Sequence, residues 1–106
     1  MKYELAEPDK YYTAQINNAT GERFFQEERY AAPVIINDWP LDLFGCEGID
    51  DYTISDGVTG RRISGGNTKK EAVKNTKNRI EKNGGVDAVL KSEEKFDLSP
   101  RYRKVK

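Results

Sequence analysis

The chain has 106 residues, 36% hydrophobic and 34% charged, with a formal net charge of zero. That length suits one domain with a modest core. The absence of histidine and the single cysteine, Cys46, exclude His-based triads, His- or Cys-rich metal sites and internal disulfides.

The charge is unevenly spread. Residues 1–51 carry four basic and eleven acidic side chains, a balance of −7, and residues 52–106 carry fourteen basic and seven acidic, a balance of +7. Either the halves face and neutralise each other, or one of them meets a charged partner. No apolar stretch approaches the ~20 residues of a membrane span, and the opening "MKYELAEPDKYY" has no apolar signal-peptide core. With a lone cysteine suited to a reducing compartment, the expectation is a cytoplasmic protein with no membrane partner.

In chain order, "YYTAQINNATGERFF" (11–25) predicts a hairpin. Tyr12, Ala14 and Ile16 alternate with Thr13 and Gln15, and Asn17, Asn18, Thr20 and Gly21 supply the turn. The return strand starts near Arg23, although "ERFFQEERY" also reads as a short helix. "AAPVIIND" holds the β-branched run Val34-Ile35-Ile36, a buried strand, with Pro33 suited to its start or to an edge. "DWPLDLFGCEG" (38–48) reads as an irregular connection, broken by Pro40, Gly45 and Gly48, that caps one end of the core. "DYTISDGVTGRRIS" (51–64) is a second hairpin with Asp56-Gly57 and Gly60 at its turn. It echoes the first: Tyr12-Thr13 precedes Thr20-Gly21, and Tyr52-Thr53 precedes Thr59-Gly60. The echo fits a diverged repeat or common turn chemistry.

Thr68 and Glu71 form a capping box, predicting a helix over Lys69–Lys82 that ends at Asn83-Gly84-Gly85. Ala72, Val73, Thr76 and Ile80 share one side of it, a stripe narrow enough to lie on a sheet. Val86, Val89 and Leu90 are spaced for a shorter second helix. Residues 97–106 read as a flexible basic tail after this single domain.

The resulting class is α+β: an antiparallel sheet of four to five strands, one main helix packed on one face, and a short second helix. Tyr52, Ile54, Ile63, Ala72, Val73, Ile80, Val34, Ile36, Val89 and Leu90 are the predicted core.

No catalytic or metal-binding constellation emerges, and no cofactor is expected. The acidic pairs Glu27-Glu28 and Asp50-Asp51 are sequence neighbours, whose side chains point apart on a strand. Cys46 reads as a small buried hydrophobe beside Phe44. Gly60 and Gly65 have the glycine spacing of a nucleotide-binding phosphate loop, but Gly66-Asn67 stand where Lys and Ser/Thr belong. Residues 61–82 carry eight basic side chains against two acidic ones. Arg61, Arg62, Lys69, Lys70, Lys74 and Lys77 are therefore candidate nucleic-acid or anion contacts, set against a solvated helix face laced by pairs such as Lys77–Glu81. Tyr11, Trp39 and Tyr102 read as exposed aromatics suited to a protein partner.

Two resemblances follow from quoted stretches. "GNTKKEAV" resembles the start of the last helix of double-stranded RNA-binding domains, which implies that Lys69 and Lys70 touch phosphate; the family's third lysine is Val73 here. "YTISDGVTGRRISGGNTKKEAVKN" resembles small uncharacterised proteins of phages and mobile elements in low-GC bacteria. That resemblance implies an α+β accessory protein with no known chemistry. The leading expectation is a small non-enzymatic interaction protein of phage or mobile-element origin that binds a host macromolecule, a protein first; the alternative is a module that binds duplex RNA or DNA through the basic hairpin and helix 61–82.

Overall fold

The computed structural model describes residues 3–105. Its strands are β1 (Tyr3–Leu5), β2 (Tyr12–Ile16), β3 (Arg23–Glu27), β4 (Ala32–Val34), β5 (Leu43–Glu47), β6 (Tyr52–Asp56), β7 (Arg62–Gly66) and β8 (Tyr102–Lys104). Helices α1 (Lys69–Lys82) and α2 (Gly85–Glu93) lie between β7 and β8. The class is α+β, and every strand pair is antiparallel.

The single sheet expected from sequence is instead three small ones: a β4-β5-β6-β7 meander, the β2–β3 hairpin and a β1–β8 pair. The reason lies at the meander's margins. The β2–β3 hairpin abuts the β6–β7 turn rather than a strand, through the Ala14 N–H, which donates to the Gly60 carbonyl at 2.9 Å. One such bond does not extend a ladder. At the other margin β4 is three residues long, and Pro33 has no N–H to offer a further strand. Residues 23–27 are strand, not helix, paired with β2 in register from Tyr12↔Glu27 to Ile16↔Arg23.

The two hairpin turns share three features. The side chains of Asn17 and Asp56 accept from the N–H two residues on, at 2.9 and 3.0 Å. The hydroxyls of Thr20 and Thr59 accept from Glu22 and Arg61 N–H. Gly21 and Gly60 take φ of 74° and 73°, a left-handed conformation that non-glycine residues adopt at a cost. One local code, Asx-x-x-Thr-Gly, thus builds both turns. The first is exposed and the second is buried.

The helix start is as predicted with one refinement. Thr68 Oγ1 accepts from Glu71 N–H at 3.2 Å, while the Glu71 carboxylate reaches past Thr68 to the Asn67 N–H at 3.4 Å. α1 turns Ala72, Thr76 and Ile80 inward, onto a core of Val34, Ile36, Leu43, Tyr52 and Ile54 with Trp39, Leu41, Ile63 and Val73 packed around it. Thr76 Oγ1 is buried without a hydrogen-bond partner among the described residues. Thr76→Val keeps the shape and removes the stranded hydroxyl, so we expect a stability gain of about 1 kcal/mol by urea denaturation; a loss would mean the hydroxyl is satisfied.

Several expectations are corrected. Residues 38–42 are irregular as expected, with Trp39 and Leu41 against the core, but the rest of the 38–48 stretch is not, because Leu43–Glu47 is a central strand between β4 and β6. Gly45 marks no turn: a Cβ there would strike the Tyr52 ring, so this glycine makes room for a core aromatic. Of the Val34-Ile35-Ile36 run only Val34 lies in β4, and Ile35 points outward at 84% exposure. Leu90 is 39% exposed and outside the core. The 97–106 segment does not hang free over its described length: Ser99 and Arg101 are buried, and Tyr102–Lys104 pairs with β1.

Candidate anion site

The meander places β7 under α1, and the helix runs back along that strand so that its last turn returns to where the strand begins. Asn75 in mid-helix donates to the Gly65 carbonyl at 2.9 Å. This brings Arg79 beside Arg61 and Arg62. The three arginines surround a hollow of about 340 Å³, walled by Ile63 and Ile80 on one side and by Gly85, Ala88, Val89 and Ser92 of α2 on the other. Asp56 and Thr59 of the buried turn also line it. Arg61 is held flat, its guanidinium 3.8 Å from the Phe96 ring centroid.

These arginines have no carboxylate partner among the described residues. The ion pairs recorded there join Arg101 to Asp42, Arg103 to Glu4, and Lys10 to Glu7 and Glu27. The C-terminal arginines therefore meet acids of the N-terminal half. The arginines around the hollow do not, and they retain the charge that would draw an anion.

Beneath them lies a buried carboxyl pair. Asp56 and Glu93 are 5% and 4% exposed, and their carboxyls hydrogen-bond each other. Asp56 also accepts from Val58 N–H at 3.0 Å and Thr59 Oγ1 at 3.3 Å. Burial first, and Asp56 second, push the Glu93 carboxyl up to about 9. Glu93 is then the protonated member at neutral pH and donates to Asp56, while the Tyr3 hydroxyl donates to Glu93 Oε1 at 3.1 Å. Burial and Glu93 push that phenol up to about 12. The pair pins α2 to β6 and to β1, which fixes one wall of the hollow.

The sequence-predicted site residues do not form one surface. Arg61 and Arg62 join Arg79, which sequence reasoning counted among the basic residues of 61–82 without singling it out. Lys69 lies apart, lining a depression with Glu47, Asp50 and Asp51, where acids offset its charge. Lys70 and Lys74 are exposed and Lys77 is half-buried, on the flank of α1 away from the Ala72–Thr76–Ile80 stripe. The structure thus separates the helix-start lysines from the arginines.

The aromatics expected to meet a protein partner make contacts within the fold. Tyr11 is buried, stacked on Phe44 with centroids 4.9 Å apart. Trp39 packs against the core. The Tyr102 hydroxyl donates to Asp42, and burial with that bond raises its pKa. Cys46 is half-buried, and burial pushes its thiol up to about 11, far from the thiolate that a nucleophile needs. Among the described residues no cluster of three potential ligands is placed to hold a metal, and no helix is long and apolar enough to cross a membrane.

Beside the hollow, sharing Thr59 and Arg61 with it, a second depression of about 310 Å³ runs between the β2–β3 hairpin and Phe96. Ala14, Ile16, Phe24 and Phe25 make it largely apolar, and Arg23 and Asp97 bring one charge of each sign to its lining. No protein-family model, curated protein or solved structure matches this chain.

Proposed function

We propose that this protein is a small binding protein without catalytic activity and that its ligand is nucleic acid. The observation that carries the reading is the set of Arg61, Arg62 and Arg79 around one hollow, with no carboxylate in ion-pair reach among the described residues. Guanidinium groups matched to phosphate supply affinity through counterion release. A protein partner has less to support it, since Tyr11, Trp39 and Tyr102 serve the interior. An enzymatic role has little footing too, because the oxygens of Asp56 are engaged by Glu93, Val58 and Thr59 and the Cys46 thiol stays protonated. Occupying a host nucleic acid agrees with the accessory role that the phage-protein resemblance implies.

Fluorescence anisotropy with labelled oligonucleotides tests the reading. At low ionic strength the protein binds, and affinity falls linearly on a log–log plot against salt. Arg62→Ala/Arg79→Ala weakens binding at least tenfold and flattens the salt slope by roughly 1.4–1.8, the share of two phosphate contacts. Lys70→Ala/Lys74→Ala leaves both nearly unchanged. No binding to any nucleic acid at low salt would sink the reading, as would an arginine variant that binds like the parent.

A further inference from the structure

We infer that the nucleic acid recognised is single-stranded, with phosphate in the arginine hollow and a base in the adjoining aromatic groove; this rests on the nucleic-acid reading above. The two depressions differ in chemistry. The hollow gathers three arginines against Asp56, whose carboxyl is already occupied by Glu93. The hairpin groove carries Arg23 and Asp97, one charge of each sign, and is otherwise mostly apolar, lined by Ile16, Phe25 and Phe96. A phosphate gains from the first and a base from the second.

Arg61 belongs to both. Its plane is stacked on Phe96, and the residue is exposed. A base can lie on that plane or on Phe25, since unpaired bases stack on aromatic rings and on arginine planes alike. In a duplex both base faces are covered by neighbouring pairs, so the groove would have nothing to receive. The row also continues. On its far side the hollow shares Arg79 and Asn83 with a third depression that contains Ser64, Asn78 and Lys82. Three adjoining depressions, apolar then cationic then polar with a lysine, suit a strand of several nucleotides better than one free nucleotide.

The experiment compares a labelled 12-nucleotide oligo-dT, the same strand with abasic sites, a 12-base-pair duplex and a free nucleotide, all at one low salt concentration. We expect oligo-dT to bind at least tenfold tighter than the duplex and fivefold tighter than the abasic strand. Arg61→Lys keeps the charge but loses the plane, so it weakens oligo-dT binding severalfold more than it weakens binding of the abasic strand. Equal or tighter binding of the duplex, or of the abasic strand, overturns the inference and leaves the nucleic-acid reading standing. A free nucleotide that binds as tightly as oligo-dT also overturns it. Absence of binding to every probe removes both. The abasic comparison uses the unaltered protein, so it does not depend on any variant folding.

Discussion

Arg101→Ala lowers the free energy of unfolding by about 3–5 kcal/mol, the usual cost of stranding one partner of a buried ion pair. Its guanidinium bonds Asp42 twice, Nε at 2.8 Å and Nη2 at 3.3 Å. Nη1 donates to the carbonyls of Glu7, Pro8 and Lys10 at 3.3, 2.6 and 3.2 Å. The plane lies 4.1 Å from the Tyr11 ring centroid. Its own carbonyl accepts from Ala6 and Glu7 N–H. Alanine keeps only that last pair. The three carbonyls then lose their donor, and Asp42 is left with the Tyr102 hydroxyl. Lysine does not rescue, because one ammonium cannot serve a carboxylate and three carbonyls in the plane of a fork. Urea denaturation at pH 7 measures the loss; a change under about 1 kcal/mol would place Arg101 with ordinary surface pairs.

Glu93→Gln makes the protein more stable above neutrality and flattens its pH dependence. The sign follows from the protons bound. Below the ordinary carboxyl range Glu93 is protonated both folded and unfolded. Between there and about 9 the folded state holds a proton that the unfolded chain has released. Stability is therefore fullest at the acid side of this window and falls as pH rises, by up to ~1.4 kcal/mol per unit, until Glu93 ionises. Glutamine donates to Asp56 through its amide at every pH, standing in for the protonated acid. Unfolding midpoints at pH 5, 7 and 9 decide the matter: the parent drops and the variant does not. Parallel curves would mean that the pair does not share a proton.

The parts of the fold legible in the sequence are those specified by neighbours along the chain. α1 has its predicted bounds because Thr68, Glu71 and Asn83 act within one turn of their own helix. Both hairpins were legible because the Asx-x-x-Thr-Gly code closes on itself. β5 was not, since Gly45 looks like a breaker until Tyr52 lies over it. Nor was β1–β8, whose three-residue strands carry no alternating pattern and meet only across the whole chain. Tyr11 and Tyr102 looked exposed because their sequence neighbours are polar, while Asp42, Phe44 and Arg101 come from elsewhere. The candidate site was half legible. Arg61 and Arg62 follow from the strand, but Arg79 joins them only because the helix doubles back. The same return leaves Lys69 beside the acidic 47–51 loop.

The closure made by Arg101 has a consequence during synthesis. β1 leaves the ribosome about a hundred residues before its partner β8. Until then Tyr3 has no edge to pair with, and Asp42 waits without its guanidinium. A loop of that length costs little more to close than a shorter one, because the entropy grows only with the logarithm of its length. The delay is one of order rather than energy. The meander and α1 precede Arg101 along the chain, so the arriving arginine closes β1 against β8 only after they have been made.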